Sequence, residues 1–211
     1  MLAVAAYDGR VHVEFMQSVT LSIIAAAAEG WVVHLAVRSH DCHVDTAYNH
    51  LLKEFLDSEC ECIVTVGSDQ GWRAQDFVKL LNHDRDIVGG APPKKEREGE
   101  AYPVLIPSPV IQADEAGLVE CYTLGTGFLK LSRKAVKTLA DCSATFDARV
   151  PMIIERKIIH DKLWGGDNVM CLKARDAGFK IWLDPEMHFE HVGSKVWTGC
   201  IGDYWRRANG L

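Results

Sequence analysis

A three-layer α/β/α domain built on a mostly parallel sheet is the fold this sequence predicts. Three observations point to it. Short apolar, β-branched runs alternate with amphipathic helical stretches; glycine or aspartate closes many of the runs; and no linker-like tract divides the 211 residues, so one domain over 1–211 is expected. Strands alternating with helices imply parallel pairing and helices on both faces, with ligands beyond the carboxyl ends of the strands.

Residues 2–7 (LAVAAY) form an apolar run that ends at Asp8-Gly9, a buried strand entering a turn. Met16, Val19, Ile23 and Ala27 then share one face at helical spacing, and Gly30 supplies a left-handed stop. A strand follows over 31–37. Tyr48, Leu51, Leu52, Phe55 and Leu56 mark the next helix, with Asp45 or Thr46 available as its cap. Residues 62–66 (CIVTV) read as a strand that ends in Gly67-Ser68-Asp69-Gln70-Gly71; Phe77, Leu80 and Leu81 mark a helix, and 86–90 (DIVGG) a further strand.

From 91 to about 118 the pattern lapses. APPKKEREGE is polar, and the three prolines of YPVLIPSPV forbid a central strand or helix, so a long loop is expected over the sheet's open edge. Residues 119–131 return as a strand interrupted by Gly125-Thr126-Gly127, and Ser132 caps a helix through Ala140. Residues 141–163 carry no clear period. Asp167 opens a helix stopped by Gly178, 179–183 (FKIWL) form a strand, Asp184-Pro185 turns, and 187–192 (MHFEHV) extend again.

A net charge of −6 excludes any general attraction to phosphate backbones or anionic lipid. No stretch approaches the ~20 apolar residues of a membrane span. The seven cysteines lack the paired spacing of a zinc site, and reduced thiols in the cytoplasm are expected; His40, Cys42 and His43 read as a polar loop.

Three residues are candidates for chemistry, each with a plain structural reading beside it. Asp69, at the tip of a buried strand, is placed either to hold a cation and its diphosphate or to make a turn. His191 is either a nitrogen donor to Mn²⁺ or a hydrogen-bonded structural histidine; strand alternation keeps His188 off its face. Asp167 at a helix start is either a cap or a general base, with Gly165-Gly166 leaving room for an acceptor. Gly125-Thr126-Gly127 allows backbone to approach a sugar, or is a bulge. Lys94, Lys95 and Arg97 read as a solvated loop able to meet a diphosphate.

Taken in order, these pieces resemble the inverting, family-two-like glycosyltransferases of the GT-A (Rossmann-like) fold, particularly the small stand-alone forms of phages and bacteria. The likeness rests on Ala6-Tyr7-Asp8-Gly9 closing the first strand; Ala47-Tyr48-Asn49; Gly67-Ser68-Asp69 with Trp72; Asp86 to Gly90 and Pro93-Lys94; Gly125-Thr126-Gly127-Phe128; Gly166-Asp167; Ala177 to Lys180; Asp184-Pro185; and His191-Val192-Gly193. Two positions depart from the family pattern: Gly67 stands for the first Asp of Asp-x-Asp, and Gly166 for the Glu of Glu-Asp.

The resemblance implies a nucleotide-binding half (1–90) that uses Ala6, Tyr7, Asp8, Asn49, Ser68 and Asp69, and an acceptor and catalytic half (119–211). It implies a divalent metal, Mn²⁺ or Mg²⁺, on Asp69 and His191, sugar or acceptor contacts from Trp72, Gly125, Thr126, Gly127 and Gly166, and Asp167 as catalytic base. The partners it implies are a nucleotide-sugar donor and an acceptor that is a glycan or a hydroxymethylated pyrimidine in DNA, for which Arg206 and Arg207 beside Tyr204 and Trp205 offer a local surface. A catalytically impaired nucleotide- or sugar-binding module and a nucleotidyltransferase are the alternatives.

Overall fold

The structure, a computed structural model, describes residues 1–107, 111–147 and 149–210; Pro109, the last of the three loop prolines, lies outside them. Strand β1 (Leu2–Ala6) is buried along nearly all its length and pairs in parallel on both sides, as its unbroken apolar run requires. Helix α1 (Val13–Ala28) ends at Gly30, whose φ of 85° is left-handed. Strand β2 (Leu35–Ser39) begins later than the 31–37 run predicted.

Helix α2 (Val44–Asp57) buries Tyr48, Leu51, Leu52 and Phe55 as the spacing predicts, but its N-cap is His43 and no side chain caps it. Then come β3 (Cys62–Gly67), β4 (Gln70–Trp72), α3 (Ala74–Asn82), β5 (Ile87–Gly89), β6 (Val104–Leu105), β7 (Val119–Cys121), β8 (Thr123–Leu124) and β9 (Phe128–Ser132). In α4 (Arg133–Asp141) the Ser132 hydroxyl accepts from the Ala135 amide at 3.1 Å, the expected cap. Two small hairpins, β10 (Thr145–Phe146) with β11 (Val150–Pro151) and β12 (Lys157–Ile159) with β13 (Lys162–Trp164), fill the stretch without period. Helix α5 (Gly166–Asp176), β14 (Ile181–Leu183), β15 (Phe189–Val192), β16 (Val196–Gly199) and α6 (Ile201–Ala208) complete the chain.

The main sheet has the order β2-β1-β3-β9-β5-β14-β7. Five strands run one way; only β9 and β7 oppose their neighbours, so the sheet is mostly parallel and carries strands from both halves of the chain. Side chains alternate along β1, β3 and β9 into two cores. Leu2, Val4, Val64, Val66 and Phe128 meet α1 and α3 on one face; Ala3, Ile63, Leu129 and Leu131 meet α2, α4 and α5 on the other. This is the three-layer, Rossmann-like α/β architecture predicted. No helix among the described residues is long and apolar enough to cross a membrane, and all seven cysteines are free.

The buried face of α1 corrects the predicted stripe. Met16 and Ala27 face solvent, and Phe15, Ser18, Val19, Ser22 and Ala26 face the core. Two serines are tolerated there because each accepts a hydrogen bond from Trp72, Ser18 Oγ from its backbone amide and Ser22 Oγ from its indole N–H, both at 2.9 Å.

Candidate active site

The chain leaves β3 through Ser68 and Asp69 and re-enters a strand at once. β4 pairs with β15, which pairs in turn with β16, a three-stranded sheet that alternation alone did not predict. Its register sets His191 opposite Gln70, and the Val192 amide donates to the Asp69 carbonyl at 2.8 Å. His191 Nε2 thereby stands 3.5 Å from Asp69 Oδ1, an ion-pair spacing rather than a hydrogen bond.

The imidazole's other nitrogen, Nδ1, lies 2.7 Å from the Pro93 carbonyl oxygen. A carbonyl only accepts, so Nδ1 carries a proton there and Nε2 is the ring nitrogen turned toward Asp69. An imidazole nitrogen and a carboxylate oxygen thus face each other, with the far N–H held by a backbone carbonyl, and both are donor types that divalent metals accept. The cation the structure sets on the same carboxylate is Lys95, whose Nζ lies 2.5 Å from Oδ2. Burial pushes the Asp69 carboxyl up, but His191 and Lys95 outweigh it and hold the group well below the usual carboxylate range. Lys95 belongs to the segment after β5, which is tied over the site by Pro93 on His191 and by Trp197 Nε1 on the Glu96 carbonyl at 2.7 Å.

A second cavity, of about 370 Å³, opens beside it and is lined by Asp45, Tyr48, Thr126, Ile154, Arg156 and Asp167 among others. Tyr48, on the cavity wall, donates to the Val66 carbonyl at 2.8 Å, and burial, with the Asp69 charge, pushes its hydroxyl pKa up. Asp167 lies in the first turn of α5, where its Oδ1 accepts from the Asn168 amide at 2.8 Å. Burial, with the Asp45 charge, pushes its pKa up against the pull of that amide and of Lys94.

Both departures from the family pattern are filled from elsewhere. A Cβ on Gly166 would meet Ile154 Cγ2 at 2.6 Å and Asp45 Oδ1 at 2.8 Å, so the space beside Asp167 is taken by Ile154 and by a carboxylate from α2. What is filled is the place of a side chain on residue 166; Gly165, Gly166 and Asp167 still line the open cavity. A Cβ on Gly67 would meet the Gln70 side chain at 2.8 Å, and the buried Gln70 accepts from the Gly67 amide at 3.2 Å. Sequence reasoning missed what Asp45 and Gln70 fill, and read Lys95 only as part of a solvated loop able to meet a diphosphate. The two glycines were the signal, since a vacancy in a packed site has to be filled by a neighbour.

Tyr7 and Asp8 stand at the carboxyl end of β1, the ring 68% exposed, and Asp8 Oδ1 accepts from the Arg10 amide at 3.1 Å. Ser68 lies between β3 and β4, with its carbonyl accepting from His12. Thr126 faces the second cavity; Gly125 packs under Pro103, and Gly127 under Gln70, whose Nε2 a Cβ would meet at 2.6 Å.

Four expected contacts are corrected. Ala6 is 2% exposed and its carbonyl accepts from the Gly9 amide, so nothing of it is free for a nucleotide. Asn49 is buried and spends its whole amide on Ile154, with Nδ2 donating to the carbonyl at 2.7 Å and Oδ1 accepting from the amide at 2.8 Å. Trp72 lies in the core against Phe15 and Phe128, its indole N–H held by Ser22, and cannot stack on a sugar. Arg206 pairs with Glu186 and Asp203, and Arg207 with Glu100, so the C-terminal arginines present no open cationic surface for nucleic acid.

No protein-family model and no curated protein matches the chain. Solved structures do. The protein A197 from STIV is 15% identical, with a TM-score of 0.57, over 96% of this chain and 91% of that one. At that identity the likeness speaks for the fold alone. A putative glucose-1-phosphate thymidylyltransferase from Bacillus anthracis, in complex with a sucrose, follows at 12% identity and a TM-score of 0.46, over 100% of this chain and 94% of that one. A glycosyltransferase involved in the glycosylation of the major capsid of PBCV-1 is 7% identical, with a TM-score of 0.34, over 64% and 62%. The last two scores are too low to carry an argument.

Proposed function

We propose that the chain is a nucleotide-sugar-dependent glycosyltransferase of the inverting kind. The observation that carries this reading is a pair of carboxylates with opposite tendencies at one end of the sheet, Asp69 held ionised beside cationic partners and Asp167 pushed toward neutrality in the adjoining cavity. Environments that split two carboxyls in this way assign one to charge stabilisation and the other to proton transfer.

The exposed Tyr7 ring and Asp8 receive the nucleotide base, and Ser68 and Asp69 face its diphosphate. Asp69 and His191 hold a divalent metal, Mn²⁺ or Mg²⁺, which when bound neutralises charge on the leaving diphosphate. Asp167 takes the proton of the acceptor hydroxyl as that oxygen attacks the anomeric carbon from the face opposite the leaving group, which inverts the configuration. Thr126 borders the acceptor's path, and Tyr48 forms its floor beside Asp69. The segment carrying Lys94 and Lys95 covers the donor and limits hydrolysis.

The test is a thermal-shift screen of UDP-, GDP-, ADP- and TDP-linked sugars with and without Mn²⁺, repeated on Asp69→Ala. One donor is expected to raise the melting temperature in a Mn²⁺-dependent way in the native chain and not in the variant. An equal shift in Asp69→Ala removes Asp69 from the site, and no shift with any donor removes the donor class.

A further inference from the structure

On the far side of β15 from the Asp69 carbonyl, another set of donors converges. His188 immediately precedes β15 and is fixed there by its backbone amide, which donates to Asp76 Oδ2 of α3 at 2.9 Å. Cys200 is the N-cap of α6 and is 2% exposed; Asp203 lies in that helix's first turn. One ring nitrogen of His188, the Cys200 sulfur and a carboxylate oxygen of Asp203 all lie within 4.8 Å of one another.

The histidine is left unsatisfied where it stands. Among the described residues Nδ1 is buried without a hydrogen-bond partner, and Nε2 is 3.7 Å from Asp203 Oδ2. That is beyond hydrogen-bond reach, but close to the separation, about 3.3–3.8 Å, of two donors held tetrahedrally at about 2.0–2.3 Å from one ion. Asp203 is also preset, because its other oxygen accepts from Arg206 at 2.6 Å and leaves Oδ2 turned to His188. The three residues open on a cavity of about 570 Å³ whose wall also carries Glu14, Glu190 and Glu100 together with Arg73 and Arg207, the last paired to Glu100.

We propose that His188, Cys200 and Asp203 form a zinc site, separate from the Asp69–His191 pair and independent of the glycosyltransferase reading. A thiolate and an imidazole with one carboxylate select zinc over the hard, all-oxygen ions. On binding, the Cys200 thiol, which donates to the Pro185 carbonyl at 3.1 Å, gives its proton to solvent as the sulfur–zinc bond forms. Three protein donors leave the fourth position facing the cavity, open to water or an anionic ligand. The ion joins α6 to the strand that bears His191.

The experiment is titration of the full-length, metal-free protein with Co²⁺ and then Zn²⁺. The expected result is one equivalent of Co²⁺ with a thiolate-to-cobalt charge-transfer band, displaced by Zn²⁺. The band should be lost in Cys200→Ser and in His188→Ala, weakened at least tenfold in affinity in Asp203→Asn, and unchanged in Asp69→Ala. A native protein without the band, or a band that survives both Cys200→Ser and His188→Ala, overturns the proposal. The Asp203→Asn titration decides alone if the other two variants do not fold, since that side chain is partly exposed and its loss leaves the core intact.

Discussion

Replacing Asn49 by alanine separates two roles for one residue. In the structure its side chain is a clamp: both polar ends are spent on the backbone of Ile154, and both partners are buried. Alanine strands the Ile154 amide and carbonyl together, and a buried, unpaired backbone group costs about 1–3 kcal/mol. The loss is therefore about 2–6 kcal/mol. In a chain of this length 1 kcal/mol moves the melting temperature by about 2–4 °C, so a fall of about 4–24 °C is expected. Urea denaturation should show a lower midpoint at an unchanged slope. Donor affinity, measured by calorimetry below the new transition, should stay within about twofold, because no atom of Asn49 is free to meet a nucleotide. A normal melting temperature with donor binding lost would refute the clamp.

Lys95→Met frees Asp69 Oδ2 and should raise Mn²⁺ affinity in the absence of donor several-fold by calorimetry; an unchanged constant would show that the lysine does not compete. Asp167→Asn should keep donor binding and lose transfer by at least about a hundredfold. In the native chain the rate should rise with pH through a midpoint above the ordinary carboxylate range, because the raised pKa keeps the base protonated longer, and a midpoint near 4 would contradict the burial argument. The same shift has a stability sign: a carboxyl with a raised folded pKa favours the folded state while protonated, and its cost grows as pH climbs from the unfolded pKa through the folded one. At pH 8 the Asn variant should therefore melt higher than the native chain, and an equal or lower melting temperature would contradict the burial argument. Gly166→Glu should cost about 3 kcal/mol or more through collision with Ile154 and Asp45; native-like stability in urea would show that the site repacks.

The elements legible in the sequence were those whose burial is local in origin. Tyr48, Leu51, Leu52 and Phe55 declare α2, CIVTV declares β3, and Gly30 and Gly178 stop their helices at positive φ. What was illegible depends on distant partners. Ser18 and Ser22 look solvent-facing until Trp72 arrives to donate to them, and Gln70-Gly71-Trp72 reads as a turn until β15 lies beside it. In the site, Asp69, Asp167 and His191 were named from motif order, whereas Asn49 and Trp72 come from the same order and lie buried in structural roles. Asp45 and Lys95 had no motif to mark them, since each acts from an element remote from the residue it serves, and Gln70 read only as part of the turn after β3.

The pairing of β4 with β15 has a consequence for how this chain tolerates changes in length. Phe189 faces Trp72 and His191 faces Gln70 across the same ladder, so the core aromatic and the candidate ligand are two steps on one side of a strand. Side chains alternate with period two, and an insertion or deletion of a single residue in the turn between Asp184 and His188 would shift β15 by one step. A deletion would put Glu190 in the place of Phe189 and Val192 in that of His191, and an insertion would put His188 and Glu190 there. An even-numbered change would preserve the face while moving the strand along it. Lineages that keep the site are thus expected to vary this turn by pairs of residues, and odd-numbered variants to lose folding and metal binding together.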